Sequence, residues 1–314
     1  MSERILEKLK KMKVGVLLGG LSSEREVSLN TGQAVIDAFN RMGVECVGID
    51  AGRDLAERVT REKIGLAFIA LHGRYGEDGC VQGLLEMMDV PYTGSGVAAS
   101  AIAMSKKLTK IFAQAIGVPT PPYVVVEKKK FNAGLAMPQT PPPPVVVKPA
   151  NGGSSVNVSI VQNAKDLGPA VEMALTGDTE AMVEKFVEGQ LVTVGVVGQQ
   201  VLPAIEIETL KGFYDYQSKY TPGNTVYHLP ARVSAAVTEQ TARMALAVHE
   251  ALGCRGQTRS DFIVDASGQA WFIEINTIPG MTRTSLLPKA AGHAGIGFDE
   301  LTLAICGQTL EESI

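Results

Sequence analysis

The stretch "EINTIPGMTRTSLLP", Glu274 to Pro288, decides how this 314-residue chain is interpreted. It begins as the end of an apolar strand, "AWFIEIN", turns at a Pro-Gly pair, and enters a predicted helix behind Ser285. Residues two apart on a strand point to the same face, so Glu274 and Asn276 project together. A helix N-terminus beside them is a ready site for a substrate carboxylate, although plain N-capping by Ser285 is the alternative.

A second acidic strand precedes this one. The run "TRSDFIVD" carries Asp261, and an "ASGQ" turn joins it to "AWFIEIN" as a predicted hairpin. Oxygen ligands of this kind suit magnesium bridged to a nucleotide's phosphates. A solvated strand face is the alternative, but the flanking "WFI" predicts burial, and a buried carboxylate needs a partner or a metal. Arg259 shares the face, either to stabilise charge in a transition state or to pair with Glu274.

A glycine-rich turn lies upstream of these strands. In "VVVKPANGGSSVNVS" (145–159), Lys148 stands at a strand end before a Gly-Gly-Ser-Ser turn. Small residues let backbone amides approach phosphate oxygens, and a nearby lysine neutralises their charge. The motif is not a P-loop, because the lysine precedes the glycines and no GK[ST] follows. Taken alone, the motif is better interpreted as an ordinary hairpin turn.

The first hundred residues alternate between strand-like and helix-like runs, which predicts a parallel α/β domain with ligand-binding loops at its strand ends. The loop "GGLSSEREVSLN" contains a predicted capping box, Ser23-x-x-Glu26, which places Glu24 in the first helical turn. In "ALHGRYGEDG", His72 stands at a strand end among glycines. A structural role is the alternative for both Glu24 and His72.

Four further predictions concern the remaining segments. "GVAASAIAMSKKLTKIFAQAIG" is predicted as one long helix, and "KKKFNAGLAMPQTPPPP" as an exposed loop. Thr238 is predicted to cap the helix "TEQTARMALAVHEALG". "ETLKGFYDYQSKYTPGNTVYHLP" holds four tyrosines and little periodicity, and a loop of that length is uncommon without a function.

Composition narrows the class of protein. The chain is 45% hydrophobic, which is ordinary for a globular protein, and its net charge of −4 indicates no nucleic-acid partner. No apolar run reaches the length of a membrane span, and the charged N-terminus has no signal core, so a cytoplasmic protein is expected. The four cysteines form no CxxC pair, which predicts buried, reduced thiols.

Together these motifs resemble the D-alanine–D-alanine ligases of the ATP-grasp superfamily. The similarity runs in family order from "LLGGLSSEREVSLNTG" through "ALHGRYGEDGCVQGLLEMMDVPYTGSGV", "VVVKPANGGSSV" and "FYDYQSKY" to "EINTIPGMTRTSLLP". It implies an α/β fold with an N-terminal parallel domain (1–104), and central (105–187) and C-terminal (188–314) domains that clasp ATP between two sheets. The tyrosine-rich loop, 208–225, becomes a lid.

The resemblance also implies roles for individual residues. The ATP phosphates would be reached by Lys106 and Lys148, and the adenine by Glu184, Lys185, Phe186 and Val187. Two magnesium ions, with manganese as an alternative, would be held by Asp261, Glu274 and Asn276. The two D-alanines and the reacting groups would be contacted by Glu24, Ser154, Tyr220, Arg259, Gly280, His72, Lys219, Ser285 and Leu286.

The implied activity is ATP-dependent ligation of two D-alanines through an acyl phosphate, supplying peptidoglycan precursors. A homodimer without nucleic-acid or membrane partners is expected. One alternative is a D-alanine–D-lactate ligase, against which Tyr220 argues, because the resemblance implies a different lid sequence in that enzyme. Another is a nucleotide-binding sensor without catalysis, which the complete set of metal ligands and Arg259 disfavours.

The chain departs from the family at one position. Where the family usually has an acidic residue for the ribose hydroxyls of ATP, this chain has Leu191. Glu188, three positions earlier, is the candidate substitute. The departure bears only on the ribose contact.

Overall fold

The computed structural model describes residues 2–132, 134, 137–153, 156–209 and 225–312. Its strands form three sheets that follow one another along the chain. The first sheet is parallel, with strand order β2-β1-β3. Its strands and the helices around it are β1 (Val14–Leu18), β2 (Cys46–Asp50), β3 (Leu66–Ile69), α1 (Ser2–Leu9), α2 (Arg25–Met42), α3 (Leu55–Glu62), α4 (Cys80–Met87) and α5 (Val97–Met104). The predicted parallel α/β unit is confirmed.

Close packing between helix α2 and strand β1 positions the first loop of this unit. Gly32 of α2 lies so near Leu18 that an added Cβ would stand 2.5 Å from the Leu18 Cβ atom. Only glycine allows this approach without a backbone shift. Because α2 follows directly from the loop after β1, the contact holds residues 19–24 at the carboxyl end of the sheet.

The second sheet is antiparallel, with strand order β4-β7-β5-β6. Helix α6 (Lys106–Ala115) leads into it, and α8 packs on β5 and β7. The elements are β4 (Tyr123–Glu127), α7 (Lys128–Asn132), β5 (Val145–Pro149), β6 (Ser159–Val161), α8 (Leu167–Ala174) and β7 (Glu180–Lys185), with a 3-10 turn at Ala164–Asp166. The strand–turn–strand prediction around Lys148 is confirmed.

The third sheet is also antiparallel, with order β11-β10-β8-β12-β13 and β9 paired to β8. Its elements are β8 (Gly189–Val197), β9 (Gln200–Val201), β10 (Ile205–Thr209), β11 (Thr225–His228), α9 (Ala235–Ala251), β12 (Gln257–Asp265), β13 (Ala270–Asn276), α10 (Leu286–His293) and α11 (Phe298–Glu312). The predicted hairpin of the two acidic strands is β12–β13. Helix α11 returns to the first sheet, where Leu301 and Ile305 share a core with Val14 and Phe39.

Several predictions about local structure were wrong. The long helix is two helices, because Ser105 adopts an extended conformation and its hydroxyl caps α6 by accepting from the Leu108 amide. The capping box does not form, since Glu24 is the N-cap of α2 and no side chain caps that end. Ser234, not Thr238, caps α9 by accepting from the Val237 amide.

Two further corrections concern the proline-rich segment and the cysteines. The segment predicted as a loop begins with the five-residue helix α7. All four cysteines are free thiols, as predicted, but only Cys306 is buried, whereas Cys80 is exposed. No helix within the described residues combines the length and apolar character needed to cross a membrane.

Candidate active site

A cleft of about 1560 Å³ opens between the second and third sheets and reaches the loops at the carboxyl ends of β1 and β3. Nine of the residues predicted for the site line it: Glu24, Lys106, Lys148, Glu184, Lys185, Phe186, Val187, Asp261 and Glu274. Ser154, Lys219 and Tyr220 lie outside the described residues. The cleft therefore lies where residues from all three sheets and their loops come close together.

The third sheet contributes an acidic wall. Asp261 of β12 lies directly opposite Glu274 of β13, and Arg259 lies opposite Asn276. A bulge follows this pair, because Asp261 matches Glu274 whereas Phe262 matches Phe272. The extra residue, Ile273, therefore lines the cleft beside Glu274. The register places the four polar side chains on the shared face that the sequence predicts.

Cations neutralise this wall in the structure. The Arg259 guanidinium donates from Nε and Nη2 to the two Asp261 oxygens, at 3.0 and 3.1 Å. From the sequence, an ion pair with Glu274 was the alternative role of Arg259, and this contact with Asp261 was not predicted. Thr193 Oγ1 donates to Asp261 Oδ1 at 2.5 Å, and the Lys106 Nζ atom lies 3.4 Å from Glu274 Oε2. Each carboxylate thus already faces a cation.

The donor set fits magnesium bound together with phosphates. It comprises two opposed carboxylates and the Asn276 amide, whose Oδ1 accepts from the Ile278 amide at 2.7 Å. The described residues contain no cluster of three or more His, Cys, Asp or Glu side chains that could hold a metal alone. Magnesium usually keeps waters and takes one or two carboxylates plus substrate phosphates, so a partial protein set is what it requires.

The second sheet contributes a basic wall. Lys148 Nζ donates to Glu184 Oε2 at 2.7 Å, and both side chains are buried. The other oxygen of Glu184 forms an ion pair with Lys110, a helix α6 residue absent from the predicted site. Burial alone would raise the pKa of Glu184, but the two lysines hold it below its ordinary value. The sequence signal for Lys110 was its position four residues after Lys106, on the same helical face.

The glycine-rich turn after β5 leaves open space above the basic wall. Gly152 has φ of 90°, in the left-handed region that favours glycine, and an added Cβ at Gly152 or Gly153 would meet nothing within 4 Å. The Gly152 carbonyl accepts from Lys106 Nζ at 2.5 Å. A turn of this kind can admit phosphate oxygens close to its backbone.

The segment after β7 forms the end wall of the cleft. The amides of Lys185 and Phe186 donate to the carbonyls of Pro122 and Pro144, at 2.8 and 3.1 Å. Among the described residues, no turn or loop hydrogen bond uses the backbone of Val187. Further along, Leu191 pairs with Ile207 on one side and Ile263 on the other, so the wall is apolar at this position.

The loops of the first sheet close the remaining side. Ser22 Oγ donates to the His72 carbonyl at 2.6 Å and accepts from the Glu24 amide at 3.1 Å. The Glu24 carboxylate stands over Gly73, where an added Cβ would lie 2.6 Å from Oε2. The His72 ring is buried behind these groups, with Nε2 3.0 Å from Thr31 Oγ1. His72 therefore supports the loop and is not part of the cleft lining.

The turn after β13 leads to the start of helix α10. Ser285 is the N-cap, as predicted, but its side chain forms no capping hydrogen bond. Its Oγ accepts from the Thr282 amide at 3.1 Å, and an added Cβ at Gly280 would lie 2.9 Å from it. The plain capping alternative is therefore wrong for this hydroxyl. The first backbone amides of helix α10, which begins at Leu286, therefore receive no capping hydrogen bond from the Ser285 side chain.

A cleft between two antiparallel sheets, with lysines on one wall and opposed carboxylates on the other, defines an ATP-grasp enzyme. Family models described as "D-ala D-ala ligase N-terminus" and "D-ala D-ala ligase C-terminus" match residues 52–95 and 112–306. The chain belongs to the D-alanine–D-alanine ligase family.

Individual relatives agree with this assignment. D-alanine–D-alanine ligase of Citrifermentans bemidjiense is 48% identical over 96% of this chain and 97% of its own length. The ligase of Syntrophotalea carbinolica is 50% identical over 94% and 95%. Among solved structures, the Bacillus anthracis ligase complexed with ATP has a TM-score of 0.83 at 32% identity, covering 96% and 98%. The VanG D-Ala:D-Ser ligase of Enterococcus faecalis has a TM-score of 0.80 at 28% identity, covering 95% and 99%.

Proposed function

We propose that the protein joins two D-alanines into D-alanyl-D-alanine, converts ATP to ADP and phosphate, and supplies peptidoglycan precursor synthesis in the cytoplasm. The observation that carries the proposal is the cleft itself, in which Lys148 and Glu184 line one wall and Asp261 and Glu274 the other. Family membership over nearly the whole chain supports the same substrates. A sensor without catalysis is disfavoured, because every described residue of the predicted machinery is present.

The reaction has two steps. A carboxylate oxygen of the first D-alanine attacks the γ-phosphorus, ADP leaves, and an acyl phosphate forms. The amine of the second D-alanine then attacks the acyl carbon, loses a proton, and phosphate leaves. Because both reactants of the first step are anionic, cations must offset their repulsion. Lys106 and Lys148 are the residues proposed for this task.

Asp261, Glu274 and Asn276 would hold magnesium, or manganese, in two-ion complexes with the nucleotide. When bound, the metal supplies positive charge at the phosphate oxygens. Arg259, which pairs with Asp261, would stabilise the oxyanion of the second step together with the Gly280 amide. Arg259 lies opposite Asn276 on the neighbouring strand, which supports a role between the proposed nucleotide and amino-acid sites.

Nucleotide and amino-acid contacts divide between the walls of the cleft. Adenine is assigned to the end wall formed by Glu184, Lys185, Phe186 and Val187. For the ribose, Leu191 offers no acceptor, whereas Glu188 is exposed and lines the same wall. The amino-acid contacts are assigned to Glu24 with Ser154 and Tyr220, to Lys219 at the transferred phosphate, and to Ser285 and Leu286 at the second carboxylate. His72 acts by supporting the loop that carries Glu24.

The proposed subdomains, 1–104, 105–187 and 188–314, each contain one of the three sheets. A homodimer is also proposed. Helix α6 exposes Leu108, Ile111, Phe112 and Ile116, which share one helical face and form an apolar surface suited to a second copy. Light scattering after size exclusion should give twice the chain mass, and Ile111→Lys should shift it to the monomer.

A coupled ADP-release assay tests the function. With ATP, magnesium and D-alanine, the protein should release ADP and phosphate and form the dipeptide. L-alanine should be a poor substrate, and D-lactate or D-serine should compete weakly as the second substrate. Equal rates with L-alanine and D-alanine would contradict the substrate assignment, and ADP release without any dipeptide would favour a non-ligase role.

A further inference from the structure

Lys110 is a charged side chain with no exposed surface. It lies on helix α6, one turn after Lys106, and belongs to the helix face turned away from solvent. Burying an ammonium group is costly unless it is paired and hydrogen-bonded. The groups around Lys110 should therefore reveal why a lysine occupies this position.

The Lys110 ammonium contacts three strands. It forms an ion pair with Glu184 Oε1 on β7, and it donates to the Phe272 carbonyl on β13 at 3.3 Å. It also stands 5.8 Å from the ring centroid of Tyr123 on β4. One side chain thus joins the second sheet to the third, behind the cleft that the two sheets enclose.

The lysine itself does not line the cleft, but its partner does. Glu184 and Lys148 are lining residues, whereas Lys110 is not one of them. Glu184 uses Oε1 for Lys110 and Oε2 for Lys148, the latter at 2.7 Å. Two lysines sharing one carboxylate leave a net charge of +1. Without Lys110, Glu184 and Lys148 would form a neutral pair, and the cleft would lose a cation.

We propose that Lys110 is a positioning residue: it engages one oxygen of Glu184, so that Lys148 keeps positive charge for the polyphosphate of the nucleotide. The inference rests on the proposed function, because it assigns a polyphosphate to this cleft. Lys110 acts through Glu184 and touches no substrate.

The electrostatic surroundings agree with a charged Lys110. Burial lowers its pKa to about 8, and Glu184 opposes that shift. Glu274 also favours the protonated form of Lys110, whereas the positive charge of Lys148 disfavours it. The Tyr123 hydroxyl stays neutral, since burial and Glu184 raise its pKa. The ammonium form therefore predominates at neutral pH.

The test compares the binding of ADP with that of adenosine, by calorimetry without metal. In Lys110→Met, the affinity for ADP should fall by about tenfold or more, because a charge-assisted contact to phosphate is weakened. The affinity for adenosine should change by less than about twofold, since adenosine has no phosphate. The ratio of the two dissociation constants is therefore the readout, and a purely structural role would leave that ratio unchanged.

Lys107→Met is the matched control. Lys107 is the neighbouring residue on α6, and it pairs with Glu180 of the same strand β7 at 2.7 Å. Neither the affinity for ADP nor the affinity for adenosine should change in this variant. The double variant Lys110→Met/Glu184→Gln should restore the ratio, because Lys148 then has no carboxylate to neutralise it.

Two outcomes would overturn the proposal. One is an equal loss of ADP and adenosine affinity in Lys110→Met, and the other is no loss. Should Lys110→Met not fold, Lys110→Gln replaces it, because it also removes the ammonium charge, and the same ratio of dissociation constants decides. Failure of the wild type to bind ADP would instead contradict the proposed function.

Discussion

At the scale of single residues, the charged groups around the cleft are paired with groups of opposite charge. Arg259 neutralises Asp261, and Lys106 stands beside Glu274. These pairs stabilise charges that would otherwise repel one another in a partly buried wall. On the proposed function, a bound metal–nucleotide complex would exchange these partners: the carboxylates would hold the metal and the cations would face the phosphates.

Glu274 tests this exchange. Glu274→Gln keeps the shape of the side chain but removes the charge of a proposed metal ligand. Turnover should fall by on the order of a hundredfold, while the unfolding midpoint stays close to that of the wild type. The measurement is ADP release across a magnesium titration.

The control for Glu274 is Glu239→Gln, at an exposed position of helix α9, where Glu239 pairs with Arg243 at 2.7 Å. Its turnover should equal that of the wild type. Full activity of Glu274→Gln at saturating magnesium would remove Glu274 from the metal site.

Glu206 tests an ion pair at the rim of the cleft, in which the carboxylate is buried and its partner Arg232 is half exposed. Hydrogen bonds from Arg232 lower the pKa of Glu206 to about 2, from an ordinary value of 4.5. Because the folded-state pKa lies below the unfolded one, its stabilisation is present above pH 4.5 and is lost as the pH falls towards 2. Arg232 is half exposed, so solvent screening reduces the contribution at neutral pH to about 1–2 kcal/mol.

Urea unfolding of Glu206→Gln should therefore show a deficit of about 1–2 kcal/mol at pH 7, which shrinks below pH 4.5 to roughly half by about pH 3. Glu208→Gln is the control, since Glu208 contacts the same Arg232 from an exposed position. Its deficit should be smaller. A deficit for Glu206→Gln that is constant from pH 7 to pH 3 would show that charge is not its cause.

At the scale of elements, helix α2 packs closely against strand β1. Gly32→Ala would place a methyl group 2.5 Å from Leu18 Cβ, so the helix must shift outward. The free energy of unfolding should fall by about 1–3 kcal/mol despite the higher helix propensity of alanine. Equilibrium denaturation measures this change.

Gly83 in helix α4 provides the matched control. An added Cβ there would meet only Val97 Cγ2, at an ordinary 3.8 Å. Gly83→Ala should leave stability unchanged or raise it by up to about 1 kcal/mol. If the two variants behaved alike, close packing of α2 would not be what positions the loop of Glu24.

Strands were more predictable from the sequence than helix ends. The β12–β13 hairpin follows from apolar runs around a short turn, and its register places Asp261 opposite Glu274. Helix caps depend on which of several nearby hydroxyls has the right backbone angles, which is why Ser234 was missed. The break at Ser105 carries no glycine or proline, because its cause is a bridge to Asn151 in another part of the chain.

The same distinction applies to the site. Motif residues within one strand or loop could be placed from sequence, because neighbouring residues share a face or a turn. The spacing from Lys106 placed Lys110 on the same helical face, but its role could not be predicted from that spacing, since it depends on Glu184 and Phe272, which lie on two different sheets. Likewise, the sequence alone does not distinguish an ion pair of Arg259 with Asp261 from one with Glu274, because both carboxylates were predicted on the same face.

At the scale of the whole molecule, three sheets converge on one cleft. The first supplies the loop of Glu24, the second the lysines, and the third the carboxylates. Helix α11 packs its Leu301 and Ile305 in the core of the first sheet, so the C-terminal part of the chain is anchored to the N-terminal part. A site lined by elements of all three sheets suits the proposed acyl phosphate, which water would otherwise hydrolyse.

On the proposed function, this cleft activates the carboxylate of one D-alanine as an acyl phosphate. The most direct measurement uses D-alanine labelled with ¹⁸O in its carboxylate, with ATP and magnesium, and mass spectrometry of the released phosphate. Attack on the γ-phosphorus followed by cleavage of the acyl carbon–oxygen bond transfers one labelled oxygen to each phosphate. We expect one ¹⁸O per phosphate, in amounts equal to the dipeptide formed. Phosphate without label would exclude an acyl phosphate intermediate.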